Sequence, residues 1–146
     1  MVFKSMRSIK ASLCSVPVEG WGVRLDRKRS QGPLGIMPKV AIVSLVTQMQ
    51  RAGYPPSSYD FYDIDMLYPS DDEIRKYFSS YKPNVVGLSA VVSTSYSQVK
   101  RISSIIRNEL PDCWIVMGGN LSACSEALLK YTDIDLSVVG DGEIAW

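Results

Sequence analysis

The segment from Pro83 to Gly119 constrains the fold of this chain more than any other. It reads as a buried strand, a turn rich in serine and threonine, an amphipathic helix and a second buried strand that closes with Gly118-Gly119. Two strands joined by a helix form a parallel, right-handed unit. Open α/β sheets bind their ligands at the carboxyl ends of such strands, so we look for function at this edge.

The rest of the chain alternates between strand and helix patterns in the same way. The patterns predict strands over 11–18, 59–67, 85–92, 114–117 and 134–139, and helices over 34–51, 70–80, 95–110 and 122–131. Two capping boxes, Ser70–Glu73 and Ser95–Gln98, start two of these helices. The first helix carries apolar residues nearly all round, so we expect it to be heavily covered.

Five strands and four helices predict an α/β fold of flavodoxin-like (Rossmann-like) type. We expect a doubly wound parallel five-stranded sheet in the order 2-1-3-4-5. Residues 1–10 form an N-terminal extension and residues 11–146 one domain. The sequence stops before a last helix could form. We therefore expect a longer chain or a partner to cover the fifth strand.

Composition excludes several classes of function. The 146 residues include no histidine, which rules out a Ser-His-Asp triad, a Cys-His pair and a His-ligated metal. A net charge of +1 gives no case for nucleic acid or anionic membranes. No apolar run approaches the roughly 20 residues of a membrane span. The three scattered cysteines fit no metal motif, and we expect buried, inert, reduced thiols in a cytoplasmic protein.

The candidate binding residues lie in the loops that follow the predicted strands. Ser93, Thr94 and Ser95 offer hydroxyls at a helix N-terminus, where a phosphate or polar ligand is favoured, although one of them could simply cap the helix. Gly118-Gly119 either lets backbone approach a ligand closely or makes a tight turn. Gly140–Glu143 is a polar contact, a hinge or a plain turn. The basic run Arg24–Arg29 is a solvated loop or a grip for an anion.

Taken together, these motifs resemble the cobalamin-binding domain at the N-terminus of cobalamin-dependent radical S-adenosylmethionine proteins. The matching pieces are Gly32-Pro33-Leu34-Gly35, Pro83–Ser89, Ser93–Tyr96, Ile115–Gly119 and Gly140-Asp141-Gly142-Glu143, the last similar to the family's Gly-Glu-Gly-Glu. Ser89-Ala90-Val91 resembles the Ser-x-Leu of the wider cobalamin-binding fold. The Asp-x-His-x-x-Gly of that fold is missing.

The resemblance implies that cobalamin binds without a histidine lower ligand from this domain. It implies contacts to the nucleotide tail at Ser89, Ser93, Thr94, Ser95, Gly118, Gly119 and Asn120. It implies a corrin ring near Pro33, Gly35, Gly140, Gly142 and Glu143. It also implies a downstream radical S-adenosylmethionine domain in the same polypeptide, with S-adenosylmethionine and a [4Fe-4S] cluster, and in many relatives methyl transfer. The Cys-x-x-x-Cys-x-x-Cys of that domain is absent here, so the chain by itself should bind rather than catalyse.

Two other readings stay open. The missing Asp-x-His-x-x-Gly favours a degenerate Rossmann-like scaffold or interaction domain that binds no cofactor. The carboxyl edge of such a sheet, at the point where the strand order reverses, also suits a flavin or a nucleotide.

Overall fold

The computed structural model describes residues 9–18 and 39–145. Its sheet has five parallel strands in the order β2-β1-β3-β4-β5, which confirms the predicted fold class and strand order. The order of connections reverses between β1 and β3, so the ligand edge of this topology lies there. The strands are β1 (Ala11–Ser15), β2 (Tyr59–Asp63), β3 (Val85–Ser89), β4 (Trp114–Gly118) and β5 (Leu136–Ser137).

Six helices accompany the sheet within the described residues: α1 (Val40–Arg51), α2 (Ile64–Leu67), α3 (Asp71–Tyr81), α4 (Tyr96–Glu109), α5 (Ser125–Tyr131) and α6 (Gly142–Ala145). Crossovers between parallel strands are right-handed, which puts α1 on one face of the sheet and α3, α4 and α5 on the other. In the part of the chain that is described, no helix has the length and apolar character to cross a membrane.

The main core lies between the sheet and α3, α4 and α5. Side chains alternate along a strand, and Val86, Leu88, Ile115 and Met117 all point to this face. They are buried with the apolar stripes of the three helices, formed by Ile74, Phe78, Val99, Ile102, Ile106 and Leu128. The Ser70–Glu73 capping box that starts α3 is present as predicted: Ser70 Oγ accepts from Glu73 N at 3.3 Å, and Ser70 N donates to Glu73 Oε2 at 2.8 Å.

The opposite face, called here the α1 face, is only half covered. It carries the other set of alternating residues, including Leu13, Gly87 and Val116. The α1 helix contacts β1 and buries Ile42 and Met49 there. Towards β5 no described helix lies over the sheet, and Trp114 and Leu136 are 55% and 50% exposed.

The prediction for α1 was wrong in two respects. The helix begins at Val40 rather than near residue 34, because Lys39 has non-helical backbone angles. Val40 and Val43 are exposed rather than covered. The physical reason is that, among the described helices, the short α6 is the one that packs closely on α1, so Val40 and Val43 on its outward side are not covered by a second layer.

The remaining differences concern element ends. The second strand stops at Asp63 because the Asp63 side chain accepts from Met66 N and starts α2. The third strand stops at Ser89, because the carbonyl of the following residue, Ala90, accepts a hydrogen bond from Leu121 N in the turn after β4. The fourth predicted helix begins at Ser125, after a 3₁₀ turn over Asn120–Cys124. The fifth strand is only Leu136–Ser137, and a short α6 follows it where no helix was expected.

Candidate functional site

The carboxyl edge of the sheet carries a row of small residues on the α1 face. Register pairs Ser15 of β1 with Ser89 of β3, and Ser89 with Gly118 of β4. Gly87 lies two residues before Ser89 and shares its face. Ser15 and Ser89 bring two hydroxyls to this row, and Gly87 and Gly118 leave two positions without side chains. We call Ser89, Gly87 and Gly118, which lie on β3 and β4, the slot floor, and the space above them on the α1 face the slot.

The two glycines of Gly118-Gly119 have different roles. A Cβ at Gly118 would meet no atom of the described residues within 4 Å, so none of them fills the space above Gly118. Gly119 has φ +83°, and a Cβ there would lie 2.5 Å from the Ala90 carbonyl oxygen. Gly119 is therefore required by the turn itself, and Gly118 is the one that leaves room for a ligand.

Several polar side chains of the strand-end loops are available to a ligand. Ser93, Thr94 and Asn120 are exposed. Ser89 is partly exposed at the end of β3. Within the described part of the chain, none of these four side chains makes a hydrogen bond. These four predicted residues are thus brought to the same edge with free hydroxyl and amide groups.

Ser95 differs from its two neighbours. Its side chain is 0% exposed, and its Oγ has no hydrogen-bond partner among the residues that the structure describes. The predicted capping box is wrong at this residue, because Ser93–Ser95 winds as a 3₁₀ turn that runs directly into α4. Ser95 consequently has helical backbone angles and makes no side-chain cap, while the Gln98 amide oxygen accepts from Arg101 at 2.8 Å. A buried hydroxyl without a partner is rare in folded proteins and calls for an explanation.

A polar network at the ends of β1 and β2 was not predicted from the sequence. Ser15 Oγ donates to the Asp63 carboxylate and accepts from Asp65 N at 3.2 Å. The Asp65 carboxylate forms an ion pair with Lys39, the residue that precedes α1. The network therefore ties the start of α1 to β1 and α2. The alternating aspartates were visible in the sequence, but they were assigned to a continuous strand.

The Gly140–Glu143 motif lies against α1. Gly140 has φ +98° and makes the turn after β5. The Glu143 carboxylate accepts a hydrogen bond from the hydroxyl of Ser44 on α1, and this hydrogen bond lowers the pKa of Glu143. Gly142 and Glu143, two of the predicted corrin contacts, thus lie against α1, and Gly140 makes the turn that precedes them. Pro33, Gly35 and the basic run Arg24–Arg29 lie outside the described residues.

The cysteines and the aromatic residues take no part in this edge. Cys14 and Cys113 are buried as expected, and burial raises the pKa of Cys14 to about 12 and that of Cys113 to about 11. Cys124 is exposed, which corrects the expectation of three buried thiols. The aromatic residues serve packing: Tyr62 and Tyr77 stack on the α3 face with centroids 4.1 Å apart.

Two shallow depressions of the described surface lie away from the candidate site. The depressions lie at the amino edge of the sheet, around Pro111, Cys113 and Trp114, far from the strand-end loops. Arg107 borders one of them and is engaged structurally, donating to both carboxylate oxygens of Asp135 at 2.7 Å. Among the residues that the structure describes, no three His, Cys, Asp or Glu side chains come together to bind a metal.

Comparison with known proteins identifies a family and solved structures of similar fold. Residues 33–146 match the family model of the B12 binding domain. The fold is similar to the crystal structure of a novel cobalamin-binding protein from Desulfitobacterium hafniense DCB-2, with a TM-score of 0.59 at 11% sequence identity. The alignment covers 94% of this chain and 57% of that one, so this chain spans little more than half of its length. At this identity the likeness concerns the fold alone. No curated protein matches the sequence.

Proposed function

The chain belongs to the B12-binding domain family, and from that premise we propose that it is the cobalamin-binding module of a radical S-adenosylmethionine enzyme of the methyltransferase type. The observation that carries the proposal is the slot floor at the carboxyl edge of the sheet. There Ser89 lies beside Gly118, and no described residue fills the space above Gly118.

The residues at this edge fit a cobalamin nucleotide tail. The tail is a bulky group with polar atoms at its rim, and it needs both a space and hydrogen-bond partners. Gly118 leaves the space. Ser95 has a buried hydroxyl whose missing partner a ligand group could supply. Cobalt is held by its own macrocycle, so the lack of a protein ligand cluster among the described residues is compatible with the cofactor.

Each residue of the edge has a distinct role in this proposal. Ser89, on the slot floor, donates a hydrogen bond from its hydroxyl to the tail. Ser93 and Thr94 offer hydroxyls at the N-terminal end of α4, where helix backbone amides favour a phosphate. Gly119 provides the positive φ that the turn requires. Asn120 provides an exposed amide next to that turn.

The chain holds the cofactor without a histidine lower ligand of its own, because its 146 residues include none. Bound cobalamin would supply a cobalt centre that carries a methyl group between a donor and a substrate. The radical half of such an enzyme would be a further domain of the same polypeptide that holds S-adenosylmethionine and a [4Fe-4S] cluster. The support for that half is the resemblance of Gly140-Asp141-Gly142-Glu143 to the Gly-Glu-Gly-Glu of this class.

Cofactor binding is tested by mixing the purified chain with hydroxocobalamin, separating free cofactor by gel filtration and recording the visible spectrum. We expect corrin absorbance to elute with the protein and to fall in Ser89→Ala. The matched control is Ser97→Ala, which removes an exposed hydroxyl from α4. Elution of the protein without corrin would favour the scaffold reading. Tight binding of flavin mononucleotide instead would favour the flavin reading.

The enzyme class is tested by the coding sequence that follows residue 146. A Cys-x-x-x-Cys-x-x-Cys motif in the same reading frame supports a radical S-adenosylmethionine enzyme. A different downstream domain would refute the class while leaving cobalamin binding intact.

A further inference from the structure

The path of the chain after β5 brings α6 across the carboxyl edge of the sheet. β5 pairs with β4, at the end of the sheet that is far from β1. α6 nevertheless packs against α1, which contacts β1. Neighbouring strands lie about 4.8 Å apart, so residues 138–142 have to pass the ends of β4 and β3 to reach α1. This path runs along the open side of the slot.

The segment that makes this crossing has few other contacts to hold it. Val139, Gly140 and Asp141 are all exposed. A Cβ at Gly140 would meet nothing within 4 Å. At the far end, a Cβ at Gly142 would lie 3.5 Å from Leu45 Cδ2, and Ser44 Oγ donates to Glu143 Oε1. At its start the crossing segment is held by the hydrogen bond from Val138 N to the Met117 carbonyl at 2.8 Å, and just beyond its far end by the bond between Ser44 of α1 and Glu143 of α6.

We propose that Glu143 is a positioning residue, whose hydrogen bond to Ser44 latches α6 onto α1 and so fixes the open side of the cobalamin slot. The inference rests on the proposed function for its ligand. It differs from the expectation drawn from the sequence, in which Glu143 contacts the cofactor itself. In the structure the carboxylate is already engaged by a protein hydroxyl, so it acts on the cofactor through the position of α6.

The two possibilities predict different patterns of variants. If Glu143 acts through Ser44, Ser44→Ala and Glu143→Ala weaken hydroxocobalamin binding equally. The double variant is then no weaker than either single one, because all three lack the same bond. Glu143→Gln keeps an acceptor oxygen and stays close to the wild type. Loss of one such hydrogen bond corresponds to roughly a two- to tenfold weaker affinity.

A measurement without cofactor separates the latch from the proposed function. Steady-state ¹⁵N–{¹H} NOE values of the Gly140 and Gly142 amides report the order of the crossing segment. We expect these values to drop in Ser44→Ala and in Glu143→Ala, and to stay high in Glu143→Gln. The control is Ser79→Ala, which removes an exposed serine hydrogen bond to the Lys76 carbonyl on the distant α3.

Equal losses of hydroxocobalamin affinity in Ser44→Ala and Glu143→Ala, together with lowered NOE values in both, support the latch. Weaker binding in Glu143→Ala alone, or unchanged NOE values in Ser44→Ala, overturns it. If the wild-type chain retains no hydroxocobalamin, the proposed function fails, and the NOE values alone then support or overturn the latch.

Discussion

Removing the Ser95 hydroxyl should make the cofactor-free protein more stable, although Ser95 is fully buried. An unsatisfied buried hydroxyl costs about 1–3 kcal/mol, and Ser95 Oγ has no partner. Ser95→Ala removes that cost and leaves a void of about one oxygen atom, which costs roughly 0.4 kcal/mol. Alanine also suits helical backbone angles better than serine by a few tenths of a kcal/mol. The two smaller contributions nearly cancel, so the expected gain in the free energy of unfolding is about 1–3 kcal/mol.

The assay is urea unfolding of the wild type and two variants at neutral pH. The matched control is Ser103→Ala, because Ser103 is also buried on α4 but its hydroxyl is used. Ser103 Oγ donates to the Lys100 carbonyl at 3.2 Å and accepts from Asp133 N at 3.4 Å. Its removal leaves both groups without this partner and should cost about 1–2 kcal/mol. The two substitutions should thus move the urea midpoint in opposite directions.

A loss of stability in Ser95→Ala comparable to that in Ser103→Ala would refute the reasoning. It would mean that the Ser95 hydroxyl is satisfied in solution, for example by a buried water. The proposed function adds a second expectation. Ser95→Ala should bind hydroxocobalamin more weakly than the wild type, even while its cofactor-free form is more stable. A buried polar group kept at the expense of stability is what a binding site requires.

Three further predictions follow from the geometry. Gly119→Ala should lose more than about 2 kcal/mol of stability in urea unfolding, because of the positive φ and the contact with the Ala90 carbonyl. Gly118→Ala should fold normally but bind hydroxocobalamin more weakly; equal stability losses at the two positions would contradict their separate roles. Burial raises the pKa of Cys14 from 9.0 to about 12. The neutral thiol therefore contributes its full stabilisation below pH 9, and this contribution is lost as the pH rises through 12. The free energy of unfolding, measured from pH 8 to 12, should fall less steeply in Cys14→Ala than in the wild type. Ellman's reagent should modify one thiol, Cys124, in the native protein and all three in urea, because Cys14 and Cys113 are buried; rapid native reaction of more than one thiol would contradict the burial.

The sequence predicted those parts of the fold whose signals are local and strongly periodic. The continuous apolar runs of β3 and β4 and the stripe of α4 led to the correct parallel order. The Ser70–Glu73 capping box was also predicted correctly, since its two partners are three residues apart and need no tertiary contact. Ser95 failed as a cap because the 3₁₀ turn before it depends on how the chain leaves β3.

The site was predictable in outline but not in the role of each residue. The described loops named from the sequence follow the carboxyl ends of β3, β4 and β5, whereas Pro33 and Gly35 lie outside the described residues. The difference between Gly118 and Gly119 depends on the backbone angles and on the position of the Ala90 carbonyl, which no local pattern gives. The partners Ser44 and Glu143 are separated by 99 residues, so their bond could only be found once the helices were placed.

In the proposed function, the slot floor receives the nucleotide tail of cobalamin. The most direct measurement compares the dissociation constants of hydroxocobalamin and of cobinamide, which has the corrin ring but lacks the nucleotide tail. We expect the chain to bind hydroxocobalamin at least about tenfold more tightly than cobinamide, and Gly118→Val to remove the difference. Equal affinities for the two compounds in the wild-type chain would contradict it, because the tail would then make no use of the slot.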